Sequence, residues 1–429
     1  MAKRFWKSIC AGLAALLICF AGSGFAQPRL PRGCAVEGID VSGKTLGEAA
    51  AAVNAQLARE LSQKSLTVRA GDRTYVFRAP DLYYSTDLRS VLLSASKGKG
   101  KEHTLQKRLC LAGEERAVRG ICADLFVRSQ NARTVFDPHA EEPVRFLPEV
   151  CGRCVNGARL REQIRAALEG GGGEVEAEVD RVCPPVTLRE AKENAVLLSR
   201  FTTYFNRESA NRAHNIALAA NSVCGTVGAG EEFSFNAAAG ERSQKNGYLP
   251  APVILSGEFT EGVGGGVCQV STTIYNAALL AGMRITEYHP HSLAVGYVPP
   301  SFDAMVSGSG CDLRFRNETG GRIYLVCRVS GGALTAEIYG RFSGTVYERE
   351  SVVTGSIPPP EPERREVAGA SEEREIRAPK AGVKSEGYLL IHTGGKTYRR
   401  RLRRDSYAPV RGIIECPVLP ENTANPQNG

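Results

Sequence analysis

Leu46, Ala50, Val53 and Leu57 recur three or four residues apart, the period that lays one stripe of an α-helix on a core. Thr45-Leu46-Gly47-Glu48 ahead of them has the form of a capping box, so the spacing predicts a helix to about Leu61. Ser65 to Arg69 and Thr74 to Arg78 then read as strands around an Ala70-Gly71-Asp72 turn. A similar unit follows later. Leu160, Ile164 and Leu168 lie four apart, Gly170 to Gly173 end that helix, and alternating Glu174 to Val179 reads as a strand. Neither unit carries residues arranged for chemistry.

The pattern changes near Phe201. Arg207 to Val223 has helical character, Gly225 to Gly230 make a turn, and Glu232 to Asn236 is strand-like. Between Ser256 and Tyr275 a glycine-rich loop opens into a second helix, in which Val270, Ile274, Ala278 and Ala281 keep helical spacing up to Gly282. Beyond Met283 alternation takes over, at Leu293, Val295 and Tyr297, at Leu313 and Phe315, at Ile323 and Leu325, and at Leu334, Ala336 and Ile338. The fold class this implies is α+β: N-terminal helix-plus-hairpin units, an α+β domain to about residue 341, and a short β-rich tail. Pro, Glu and Arg crowd residues 355–385 and give them the look of a solvated linker. From Gly387 to Glu415 a basic β unit turns at Gly394-Gly395, and its Arg399, Arg400, Arg401, Arg403 and Arg404 read as a solvated charged strand.

A chain of 429 residues with 42% hydrophobic residues excludes disorder and collagen, and its length suggests two or three domains. The formal net charge of +8 includes Lys3, Arg4 and Lys7, which precede the apolar run from Ile9 to Phe20. With Gly24-Phe25-Ala26 after it, residues 1–27 read as an export signal or, left uncleaved, an N-terminal membrane anchor. The charge that remains is too small to argue for nucleic acid. Export admits disulfides. Setting aside Cys10 and Cys19 leaves eleven of the 13 cysteines, an odd number, so at least one thiol is unpaired within the chain. Cys151-Gly152-Arg153-Cys154 has no second pair at zinc-site spacing and reads as a local disulfide or two unlinked thiols, not a metal site.

The densest signal is Gly264-Gly265-Gly266-Val267-Cys268-Gln269-Val270-Ser271-Thr272-Thr273-Ile274-Tyr275-Asn276. It places Cys268 at a helix N-terminus, where unpaired amides and the positive end of the helix dipole favour a thiolate. Three glycines let backbone approach a ligand closely, and the amides around Cys268 are candidates for an oxyanion hole. A thiolate nucleophile also needs a proton donor for the leaving group. Two of the chain's six histidines, His289 and His291, follow within 23 residues of Cys268, and Asp303 and Asp312 are candidates to orient an imidazole. The alternation His291, Leu293, Val295, Tyr297 puts His291 on the inward face of a strand. A lone cysteine in an apolar helix is otherwise a buried small hydrophobe, and His291 a capping or core residue.

Phe233-Ser234-Phe235-Asn236, Gly247-Tyr248, the glycine-cysteine stretch, His291-Ser292, Tyr297-Val298-Pro299 and Asp303-Ala304 together closely resemble the VanW family, over about residues 200–341. Gly38 to Gly43 and the helix after them resemble the peptidoglycan-binding domains that precede VanW domains in YoaR-like envelope proteins, and the tail is faintly similar to a G5 module. The resemblance divides the chain into a signal or anchor (1–27), a peptidoglycan-binding-like region (28–195), a VanW-like domain (196–341), a linker (342–385) and a basic β tail (386–429). It departs from the family at Ser301-Phe302 and at Tyr288.

What the resemblance implies is an exported envelope protein acting on peptidoglycan stem peptides, a cysteine L,D-transpeptidase making 3→3 cross-links. Cys268 would be the nucleophile, His291 the base and Asp303 its orienter, with Gly265, Gly266, Gln269, Ser271, Thr272, Tyr275 and Asn276 binding substrate or the oxyanion. No cofactor, metal or nucleic-acid partner is implied, and the membrane is met only through the N-terminal segment. The alternatives are a non-catalytic wall-binding protein associated with glycopeptide resistance and a thiol peptidase that uses water as acceptor.

Overall fold

Thr45 caps the helix Leu46–Ser62 as the sequence demands: its hydroxyl accepts from the Glu48 amide while the Glu48 carboxylate accepts from the Thr45 amide at 2.8 Å. Ala49, Val53 and Leu57 face inward and share a small core with Val36, Val41 and the helix Leu88–Ser96. The computed structural model describes residues 29–255, 258–308, 310–368 and 371–417. The export signal or anchor read at 1–27 lies outside them. Among the described residues no helix is long and apolar enough to cross a membrane.

The described chain divides into two units, one made of residues up to Gln130 with Val150–Pro184, the other of Asn131–Glu149 with everything after Pro185. In the first, Leu66–Ala70 and Arg73–Phe77 form the expected hairpin. The helix Gly157–Glu169 and strand Gly173–Ala177 form as expected too, but they do not make a separate body. Gly173–Ala177 pairs in parallel with Leu66–Ala70, so the two sequence units complete one sheet, and Leu160, Ile164 and Leu168 cover it. Joined, the strands bury one face against these helices, while Arg69, Glu174 and Glu176 stay exposed on the other.

In the second unit an antiparallel sheet takes the order Val196–Tyr204, Ala333–Gly340, Ile323–Ser330, Gly225–Val227. The helices Ala210–Ser222 and Val267–Leu280 share its core, where Ile216, Val270, Ile274, Ala278, Leu325, Ala336 and Ile338 are shut off from solvent. A hairpin, Pro250–Leu255 with Glu258–Val263, leads into the glycine loop.

Two expectations fail here. Residues 291–302 form no strand, although His291, Leu293 and Val298 are buried and their neighbours less so. The alternation reports an irregular segment with one side on the core and no ladder partner. The second failure concerns the stretch read as a linker, where Val346–Ile357 pairs with Gly382–Thr393, which pairs with Lys396–Tyr407. Shorter strands, Glu363–Val367 and Arg374–Arg377, flank Ile413–Pro417. Charge density hid these strands because their charged side chains pair across the sheet, as Arg399 does with Glu350 at 2.7 Å. This sheet packs on the Cys268 helix: Arg349 lies between the rings of Phe201 and Phe302 and bonds the Asn276 amide oxygen.

Candidate functional site

Gly266 holds φ +104° as the residue before the helix Val267–Leu280, a conformation that side chains disfavour. Gly265 has no room for a side chain, since a Cβ there would lie 2.6 Å from Pro252 O and 2.7 Å from Ala251 O. Asn215 pins the loop by donating to Gly265 O at 3.1 Å. The result sets Cys268 as the second residue of the helix, half-buried with its sulfur 3.4 Å from Val306 O. Among the described residues the amides of Gly265, Gly266 and Cys268 donate to no acceptor, and these are the donors an oxyanion would need.

His291 is brought to this sulfur. Its Nδ1 lies 2.8 Å from Asp303 Oδ2, which also accepts from the His291 backbone amide at 2.6 Å. That leaves Nε2 free of Asp303, and imidazole and thiol are close enough to shift one another's pKa. Burial by itself works against the charged imidazole, but bonds to Asp303 and Cys268 outweigh it and raise the His291 pKa to about 9. Burial likewise pushes the Cys268 thiol up, and the hydrogen bond and charge of His291, with Val306 and Arg242, bring it below its ordinary value. Asp303 is held down to about 2, because His291 and Arg403 overcome its desolvation. Each of the three groups is shifted toward its charged form, with Cys268 half-buried as a residue and His291 and Asp303 6% and 1% exposed.

Arg403 and Tyr407 complete the arrangement from the C-terminal sheet. Arg403 donates from Nη2 to Asp303 Oδ1 at 2.9 Å and from Nη1 to Asp303 O at 2.6 Å, while its Nε donates to Asp405 at 2.6 Å. The Tyr407 hydroxyl donates to Asp303 Oδ1 at 2.6 Å and accepts from the Ser301 amide at 2.7 Å. Arg403, read as part of a solvated strand, is 4% exposed. Strand alternation explains the difference: Arg403, Asp405 and Tyr407 are the inward positions, and Arg404 and Ser406 point out. Nothing in the local sequence marks an arginine whose partner lies 100 residues earlier.

The other proposed site residues are occupied elsewhere. Gln269 bonds Arg212 at 2.6 Å, Thr203 at 2.9 Å and Tyr204 O at 3.0 Å. Ser271 donates to Ala304 O at 2.6 Å, and the Thr272 hydroxyl accepts from the Ala304 amide at 3.0 Å. Asn276 donates to Phe302 O at 2.8 Å, and Tyr275 is packed in the core. These buried side chains stitch residues 302–304, and with them Asp303, to the Cys268 helix. Of these candidates, Gly265 and Gly266 keep backbone amides without an acceptor among the described residues. Asp312 bonds Ser234 and Asn236, and His289 pairs with Glu287 at 3.0 Å, so neither joins the line. Tyr297 comes nearer than sequence suggested. Burial first, then the charge of Cys268, pushes its phenol pKa up.

Among the described residues eleven cysteines are free thiols, and Cys151 and Cys154 are not joined to each other. Cys151 instead lies 3.8 Å, sulfur to sulfur, from Cys183. Among the described residues no group of three His, Cys, Asp or Glu is arranged to hold a metal. A cleft of about 240 Å³ lined by Leu198, Leu280, Phe342 and Tyr347 sits at the far end of the Cys268 helix, and no cysteine or histidine lines it.

Residues 211–339 match the family described as VanW like protein. The chain is 43% identical over 143 residues to a protein named "Uncharacterized protein YoaR" from Bacillus subtilis (strain 168). That alignment takes in 33% of this chain and 47% of the relative, so the chain spans about half of the relative's length. The crystal structure of HP0197-G5 aligns with 17% of this chain and 97% of its own at 21% identity, with a TM-score of 0.11, and carries no argument.

Proposed function

Taking residues 211–339 as a VanW-family domain, YoaR-like in sequence, we propose that this chain is an exported cell-envelope enzyme acting on peptidoglycan stem peptides. Its reaction is L,D-transpeptidation. The observation that carries this reading is the grouping of Cys268, His291 and Asp303 at a helix start, with the unpaired amides of Gly265, Gly266 and Cys268 in the same turn. The Cys268 thiolate attacks the carbonyl of the third residue of a donor tetrapeptide, forming the C–S bond. Negative charge passes to the carbonyl oxygen, which the amides of Gly265, Gly266 and Cys268 stabilise. Collapse breaks the C–N bond, and the departing D-alanine nitrogen takes the proton from His291 Nε2. His291, now neutral, accepts a proton from the side-chain amine of a neighbouring stem as that amine attacks the thioester. The C–S bond breaks, a 3→3 cross-link forms, and the thiolate and imidazolium are restored.

The test is incubation of the purified chain with disaccharide tetrapeptide, with mass spectrometry of protein and products. The expected result is a thioester on Cys268, 3→3 dimers, and neither in Cys268→Ala, whose stability should stay within about 1 kcal/mol of the parent. Release of tripeptide without dimers would reassign the site to a thiol peptidase. An inert but rapidly alkylated Cys268 would leave only stem-peptide binding.

A further inference from the structure

Arg242 lies against the glycine loop: a Cβ on Gly264, four residues before Cys268, would come within 3.3 Å of Arg242 Cβ. Its Nη1 donates to Asn236 Oδ1 at 2.8 Å and to Gly240 O at 3.4 Å. Its Nη2 is buried and has no partner among the described residues, and the same holds for Ser243 Oγ and for the hydroxyl of Tyr248, a residue 2% exposed. Residues 243–248 fold back on themselves, with the Tyr248 amide donating to Ser243 O at 3.2 Å. Buried donors without acceptors are uncommon, because each has given up its water for nothing. Here three occur within seven residues, beside the proposed nucleophile.

The charge balance points the same way. Arg403, also beside this site, has two carboxylate partners, Asp303 and Asp405. Arg242 forms no ion pair with any described carboxylate. Across the loop Arg212 donates to the neutral Gln269 at 2.6 Å, and a Cβ on Gly266 would lie 3.0 Å from Arg212 Cγ. The glycine loop therefore runs between two arginines that lack acids. The Arg242 charge acts on both Cys268 and Tyr248, so the guanidinium lies near each of them.

We propose that Arg242, Ser243 and Tyr248 form a subsite for the C-terminal carboxylate of the peptide that Cys268 cleaves. A guanidinium offers a planar fork that a carboxylate fills with two parallel bonds, and the two hydroxyls add donors. One residue spans about 3.5 Å, so a carboxylate one residue past the scissile carbonyl falls on the flank of the thiol. The subsite makes the enzyme specific for chain ends. An amidated terminus, or a peptide that continues, leaves the guanidinium without its counter-charge. The identity of the peptide rests on the acyl-transfer reading above; the anion subsite does not.

Two experiments on the full chain test it. Cys268 is alkylated with iodoacetate and with iodoacetamide, which differ in charge at nearly equal size. The ratio of the two rates should fall about tenfold in Arg242→Gln, while the iodoacetamide rate changes less than about threefold. Tyr248→Phe should give an intermediate ratio. An unchanged ratio overturns the proposal. The second experiment leaves the subsite intact: in Cys268→Ala, calorimetric affinity for disaccharide tetrapeptide should exceed that for its C-terminal carboxamide by about tenfold. Equal affinities, or no binding of either, overturn the proposal. A charge-selective ratio and acid-selective binding without any thioester would sink acyl transfer and keep the subsite; a thioester formed equally from acid and amide would do the reverse.

Discussion

Cys268 and His291 hold one another's ionisation in place, and this sets the behaviour of both with pH. The His291 pKa is raised from 6.5 to about 9, so its stabilising share is complete below 6.5 and is lost as pH climbs through about 9. Asp303 is lowered from 3.8 to about 2, so its share is complete above 3.8 and is lost as pH falls through about 2. The Cys268 alkylation rate should therefore keep its plateau to a pH below the ordinary thiol range. In His291→Ala the burial of the thiol loses its strongest opposition, leaving Val306 and Arg242, and the acid limb should move upward. His289→Ala should leave the limb in place, because His289 faces Glu287. Rates against pH by peptide mass spectrometry decide this, and a shift with the wrong histidine would dismiss the assignment. Sequence made this pair legible because cysteine at a helix start and a histidine after the helix are local signals. Arg242 gave no such signal, since an unpaired arginine is recognised only when its surroundings are known.

Helices announced themselves through period and caps, as Thr45 with Glu48 shows, and the Cys268 helix ended where Gly282 predicted, with φ +74° just past its last residues. Residues 291–302 did not, because burial alternation arises wherever one side of an extended segment meets a core, with or without a ladder. The element on which the site depends most is the glycine loop. Gly265 is the sharper probe within it, since an added Cβ meets the carbonyls of Ala251 and Pro252 and not the end of a flexible side chain. Gly265→Ala should cost about 2 kcal/mol or more, read by denaturant unfolding. The backbone must shift to relieve the contact, which turns the Gly265 and Gly266 amides away from the thiol, so thioester formation should fall further than stability alone explains. An unaltered unfolding midpoint with full acylation would show that the loop tolerates a side chain and does not set the oxyanion site.

The whole second unit, and not only the matched residues 211–339, builds the site. Asp303 is shut off from water between the Cys268 helix and the C-terminal sheet, and two of its hydrogen-bond donors, Arg403 and Tyr407, belong to that sheet. The composition of residues 342–429 concealed this: a string of arginines looks solvated until strand pairing assigns alternate ones to opposite faces. Removing Arg403 leaves the buried Asp405 without its cation and Asp303 with His291 alone, a loss of about 3–5 kcal/mol for a broken buried pair. Arg403→Met should therefore unfold early. Tyr407→Phe keeps the ring and the charge, removing one bond to Asp303 and one from Ser301, at about 1–2 kcal/mol. A merely structural hydroxyl would lower the melting temperature and leave the alkylation profile alone. If the sheet positions the carboxylate, Tyr407→Phe should instead loosen Asp303, weaken its hold on the imidazolium, and raise the apparent Cys268 pKa while most molecules stay folded. Tyr407→Phe with an unshifted pKa and normal acylation would confine the C-terminal sheet to stability.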